Sequence, residues 1–149
     1  MWLANGGDNY GGAISIGGDL VVITDTDVIN NTIAVWGHSA GIKIYGGSNS
    51  LVHRCSISGN HNAIGGTAEC GGIMIGENAS VEIIDSAITG NSGHAGGIHI
   101  KPGATASIWN CNISGNSASN KGGAIYNEGA MSLKGGRISK NISDGIYNP

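Results

Sequence analysis

The sequence predicts an all-β solenoid, a parallel β-helix of about five coils with about 25 residues in each. Three observations predict it. A tetrad ending in Asn recurs five times. A pair of small residues opens an apolar segment at a fixed distance before each tetrad. Between pair and tetrad the apolar residues alternate with a period of two, which is the strand period and not the helical one.

The tetrads are "VINN" at 28–31, "ISGN" at 57–60, "ITGN" at 88–91, "ISGN" at 113–116 and "ISKN" at 138–141. The opening segments are "GGAISI" from Gly11, "AGIKI" from Ala40, "GGIMI" from Gly71, "GGIHI" from Gly96 and "GGAIY" from Gly122. From pair to Asn the spacing is 20, 20, 20, 20 and 19 residues, whereas the connector from Asn to the next pair varies from 5 to 11. A constant body with a variable connector is what stacked coils require. In the fourth body Ile98 and Ile100 form one alternation, Ala106 and Ile108 a second, Cys111 and Ile113 a third. A phase break between the second and third falls on Asp25, Arg54, Asp85, Asn110 and Gly135, polar or glycine, as a bend needs. Each coil is therefore expected to have three short strands and three corners. Glycines interrupt every helical candidate, and a constant translation has no room for hairpin returns. Stacking at ~4.8 Å buries a continuous aliphatic column that no single coil could bury alone.

The aligned asparagines Asn31, Asn60, Asn91, Asn116 and Asn141 then acquire a physical role. Asn tolerates the left-handed backbone of a tight corner, and stacked amides can form a hydrogen-bonded ladder along the axis. "WLAN" at 2–5 matches the tetrad and adds Asn5 to the row. On this reading residues 1–149 form a single β-helix domain that starts and ends inside a coil, as part of a larger protein or assembly.

Composition removes other classes. A net charge of −3 without a basic run gives nucleic acid nothing to hold. No apolar run nears the ~18 residues of a membrane-inserted helix. "MWLANGGDNY" lacks the basic start and apolar core of a secretion signal. No cofactor motif occurs, and no Cys/His spacing matches a metal site. Cys55 and Cys111 share an inward position two coils apart, beyond the ~7 Å Cα limit of a disulfide, so both read as small core fillers; Cys70 lies in a connector.

Gly37-His38-Ser39-Ala40-Gly41 reads as G-x-S-x-G, the nucleophile elbow of α/β-hydrolases. An elbow needs a helix after the serine. In register "GHSAGIKI" lies over "GHAGGIHI", so Ser39 leads into a strand and its sibling repeat has Ala95 there. The motif is a product of the repeat.

With its "GGAI" segments at 11–14 and 122–125 and its tetrads ending in Asn, the chain resembles the right-handed parallel β-helix proteins of the pectate-lyase-like class. The repeats resemble those of polymorphic outer-membrane proteins and autotransporter-type adhesins, which favour Phe where this chain has Val or Ile. The resemblance implies an extracellular or cell-surface location and two readings. One is a structural or adhesive segment, partnered by other copies of itself, by neighbouring coils of a parent protein, or by carbohydrate. The other is a fragment of a polysaccharide lyase, hydrolase, epimerase or phage depolymerase. Enzymes of this class place acids and bases outside the coils, so the candidates are Asp25, Asp27, Glu82 and Asp85, with His53 and His99 as bases. Arg54 between Asp25 and Asp85 equally describes a charge-alternating corner. Outward positions that read as apolar, Met74, Ile84 and Trp109 with Val22 and Leu51, form the candidate contact surface.

Overall fold

The computed structural model describes residues 2–3, 12–33, 38–63 and 70–149. Among them there is no helix, and every strand pairs in parallel with its equivalent in the neighbouring coil. The first sheet has six strands: Ile14–Gly17, Ile42–Tyr45, Ile73–Ile75, Ile98–Ile100, Ile125–Asn127 and Ile146–Tyr147. The second has five: Val22–Thr24, Ser50–His53, Ser80–Ile84, Thr105–Trp109 and Ala130–Lys134. The third again has six: Trp2–Leu3, Asp27–Ile29, Ser56–Ser58, Ala87–Thr89, Asn112–Ser114 and Arg137–Ser139. These correspond to the three expected alternations.

A fourth sheet was not expected. Thr32–Ile33, His61–Asn62, Ser92–Gly93 and Ser117–Ala118 pair in parallel just after the ladder asparagines, inside what reads in sequence as connector. Two residues are too few to show an alternation, so the sequence carries no period there.

The core is made of columns, one side chain per coil. Ile14, Ile42, Ile73, Ile98 and Ile125 stack in the first sheet; Ile23, Val52, Ile83 and Ile108 in the second; Val28, Ile57, Ile88 and Ile113 in the third. Each fully buried Ile contributes roughly 1.5–3 kcal/mol of hydrophobic stabilisation, gained only when a coil lies on both sides. β-branched Ile and Val suit these positions because they pack well on a pleated surface.

The corners between second and third sheets are left-handed at every level: Asp25, Arg54, Asp85, Asn110 and Gly135 have φ of 49°, 51°, 49°, 52° and 65°. The bend predicted from the phase break is therefore a single αL residue. At the next corner the left-handed residue is not the ladder Asn, as the sequence suggested, but the one before it: Asn30, Gly59, Gly90, Gly115 and Lys140. The ladder asparagines are kept for their side chains.

Candidate functional site

From Asn60 to Asn116 each ladder amide accepts from the coil before it and donates onward, the row running from Asn31 to Asn141. Asn60 Nδ2 and the Asn60 amide N–H both donate to Asn91 Oδ1, at 2.9 and 3.0 Å. Asn91 repeats this toward Asn116, and Asn116 toward Asn141, with bonds of 2.9–3.0 Å. The second Nδ2 hydrogen bonds a carbonyl of the adjacent coil, Val28 from Asn60, Ile57 from Asn91 and Ile88 from Asn116. Asn31, Asn60, Asn91 and Asn116 are fully buried. Amides so placed hold coils together and are closed to a sugar or a metal ion. Asn5 lies outside the described residues.

The corner between the second and third sheets brings Asp25, His53 and Asp85 together around Arg54. Arg54 forks onto Asp25, Nε to Oδ1 at 2.7 Å and Nη2 to Oδ2 at 2.6 Å. That hydrogen-bonded guanidinium, above all, holds the Asp25 carboxyl below the usual carboxylate range. A lowered pKa means that the pair's small contribution to stability is present at neutral pH and fades only as the solution is acidified through that lowered value. Asp85 accepts from Asn110 Nδ2 at 2.7 Å and lies 3.4 Å from His53 Nε2, while Arg54 Nη1 is 3.3 Å from His53 Nδ1. The corner is thus a cross-coil ladder of alternating donors and acceptors, with Asp25 engaged on both oxygens. Asp27 stands apart, exposed beside Arg54 and Asp85 in an open groove that Asn110 and Asn112 also line. Glu82 is exposed on the outward side of the second sheet.

On that same sheet Ile84 and Trp109 occupy one register position in adjacent coils. Trp109 is 46% exposed, and Lys134 Nζ sits 5.7 Å from its ring. Val22 is exposed and Leu51 half-buried in the neighbouring outward column. Met74 differs from the expectation. It lies on the outward side of the first sheet but is buried in a satellite cluster with Cys70, Ala95 and Tyr126. His99, expected as a possible surface base, is buried beside it, stacked on Tyr126 at 4.7 Å and 2.8 Å from Glu128 Oε2. Period-two reasoning puts both side chains outside the coil, and packing over the corner then covers them. Tyr126 and Tyr147 continue this outer column after His99, and Lys121 Nζ lies 4.1 Å from the Tyr147 ring; sequence reasoning missed the column, although the rings at these three successive levels were visible.

The model of the right-handed β-helix region family matches residues 4–136. The chain belongs to the right-handed β-helix family. No curated protein and no solved structure matches it. The family's handedness is the one that parallel crossovers adopt almost without exception.

In this β-helix Ser39 is not part of a solvent-facing connector. It bridges in parallel to Cys70, and Cys70 to Ala95, and it is fully buried with Oγ donating to the Gly72 carbonyl at 3.2 Å. A buried hydroxyl spent on a backbone carbonyl, followed by a strand, is no nucleophile elbow. Ser39→Ala is expected to cost about 0.5–1.5 kcal/mol, the net value of one hydrogen bond, rather than nothing. Urea denaturation measures that cost, and a fluorophosphonate probe is expected to leave native Ser39 unlabelled.

All three cysteines are buried and none is in a disulfide. Burial pushes the Cys55 and Cys111 thiols up, and both Sγ atoms donate to carbonyls, Cys55 to Ile23 and Cys111 to Ile83. Cys70, read as a connector residue, is as deep as the other two and donates to Ile73 O at 3.2 Å. Thiol titration of the native β-helix is expected to show three slow groups, all of them fast in denaturant. A thiol count below three in denaturant under non-reducing conditions would contradict this.

Proposed function

We propose that this chain is a structural, adhesive solenoid segment of an exported or cell-surface protein, with repeats akin to those of polymorphic outer-membrane proteins and autotransporter-type adhesins. It acts by contact along its outer face. The observation that carries this reading is the outward side of the second sheet, where Ile84 and the exposed Trp109 lie in register on adjacent coils. A face that only met water would not need an indole there, and apolar strips on a polar surface mark contact sites. The engaged state of Asp25 supports the same reading, since a carboxylate held by a bidentate Arg is a poor proton donor at neutral pH. One observation favours a second reading, polysaccharide processing in the pectate-lyase-like manner: the exposed Asp27 faces a groove shared with Asp85 and Arg54.

Incubation with immobilised neutral and uronate-containing polysaccharides tests both. The expected result is adsorption without new chain ends, weakened about tenfold by Trp109→Ala through loss of about 1.4 kcal/mol of aromatic contact. Adsorption indifferent to Trp109→Ala, or polymer cleavage abolished by Asp27→Asn, would replace the adhesive reading with the second.

A further inference from the structure

We propose that the outer side of the first sheet carries a binding site for a sugar residue with a single negative charge, seated in the cleft between Tyr45 and Lys101. The site lies on a different sheet from Trp109 and away from the corner of Asp25 and Asp85. It goes beyond the contact reading and does not depend on it.

The cleft exists because of what the chain leaves out. Just past the buried isoleucines of the first sheet, one outward column holds Gly17, Tyr45, Gly76 and Lys101 on four successive coils. Gly17 pairs with Tyr45, the Gly76 N–H donates to Ile44 O at 2.7 Å, and the Lys101 N–H donates to Ile75 O at 3.0 Å. Neither glycine has a positive φ, so space and not conformation accounts for them. A Cβ at Gly17 would collide with the edge of the Tyr45 ring, and glycine in that coil lets the ring lie across it. On the other side, a Cβ at Gly76 would press on Tyr45 Cβ at 2.9 Å. Gly76 therefore puts no side chain between Tyr45 and Lys101, whose strands stand about 10 Å apart, two strand spacings. A cavity of about 320 Å³ opens there. That is the low end of the ~300–1,000 Å³ of small-molecule sites, and it suits one ring with its substituents.

The walls set the chemistry of the occupant. Tyr45 is 47% exposed and, with the buried Met74, offers apolar surface to the C–H face of a sugar. Lys43 Nζ lies 5.2 Å from the Tyr45 ring centroid, and Lys101 lines the far side of the cleft. Glu77, exposed at the rim, can accept from sugar hydroxyls. Among the described lining residues, two ammonium groups against one carboxylate leave a surplus of one positive charge, before His38 is counted. The chain as a whole has a net charge of −3, so this cleft runs against the protein's own sign. A monoanion matches the surplus, whereas a dianion such as a phosphate monoester would exceed it and be repelled by Glu77. The ligand chemistry is thus a hydroxyl-rich ring bearing one carboxylate or one sulfate ester. A neutral sugar gives the lysines nothing to hold.

Titration calorimetry on the 149-residue chain tests this, with tyrosine ring NMR shifts followed in parallel. Three trisaccharides of one linkage serve as probes: neutral, carboxylated as a uronate, and carrying one sulfate ester on each sugar. Saturable binding of a charged probe is expected at low salt, at least tenfold tighter than the neutral one. Lys101→Met and Tyr45→Ala are each expected to weaken it about tenfold. Tyr45→Phe keeps the apolar wall and should stay within about threefold, and circular dichroism checks that each variant is folded. Lys140→Met removes the same charge from an exposed corner of another sheet and is expected to change nothing. Whichever charged probe binds more tightly identifies the group that the lysines hold. Equal affinity for the neutral probe, binding that neither Lys101→Met nor Tyr45→Ala weakens, or equal weakening by Lys140→Met would overturn the proposal. Adsorption to immobilised polymer through Trp109 is a separate readout, so the failure of one reading is distinguishable from the failure of the other.

Discussion

Asn91→Ala is expected to lower the unfolding free energy by about 3–6 kcal/mol, a large share of the ~5–15 kcal/mol that holds a domain folded. The substitution removes four hydrogen bonds at a site with no solvent. Asn91 Oδ1 no longer accepts from the Asn60 amide N–H or from Asn60 Nδ2, and Asn91 Nδ2 no longer reaches Asn116 Oδ1 or the Ile57 carbonyl. The groups left behind sit between coils, where no water replaces the partner, and each buried orphan costs about 1–3 kcal/mol. Asn141→Ala, at the half-buried end of the row, is expected to cost only about 1–2 kcal/mol because water reaches its neighbours. Asn91→Asp separates hydrogen bonding from volume. Its shape is retained, but an acceptor replaces the donor that faced Asn116 Oδ1, so it should be at least as damaging as alanine. Urea titration of the three variants gives the order. A loss below about 1 kcal/mol for Asn91→Ala would mean that the buried amides do not join the coils.

The ladder was legible in the sequence because one residue type recurs at one offset; what it does there was legible only in part. The spacing placed the asparagines on one line, but the left-handed role belongs to the residue before each, where Gly59, Gly90 and Gly115 were the available signal. The charged corner was legible for the same reason as the ladder: Asp25, Arg54 and Asp85 share a phase, and stacking turns phase into contact. Met74 and His99 were not legible. Alternation fixes which side of a strand a residue faces, yet the cover over that side comes from Cys70, Ala95 and Tyr126 in other parts of the coil. The fourth sheet fell below the length at which any period can be seen.

The second large effect is expected at Gly72, where adding one methyl group should cost about 3–5 kcal/mol. The glycine is not there for conformational freedom, since its φ is not among the positive ones. It is there because a Cβ would overlap the carbonyl oxygen of Gly97 in the next coil and press on Ile88 Cγ2. A side-chain clash can relax by a change of rotamer, but this one is with backbone. Relief requires the coils to move apart, which strains the Gly72 N–H bond to Gly96 O at 3.0 Å and the Ile73 N–H bond to Gly97 O at 2.8 Å. The cost is therefore that of overpacking, ~1–3 kcal/mol, plus the loss of ladder hydrogen bonds at ~1 kcal/mol each. Gly41 and Gly97 meet the coil above in the same way, which explains why the second residue of the opening pair is glycine in the second, third and fourth bodies. Gly90 provides the contrast. Its φ is +63°, and a Cβ there would come no closer than 3.9 Å to any neighbour, so Gly90→Ala should cost only the ~1 kcal/mol of a left-handed alanine. Denaturation of the two alanine variants in parallel separates the steric glycine from the conformational one. Equal losses would mean that the coils do not approach closely enough at Gly72 for a methyl group to matter, and the small-residue pair would then need another cause.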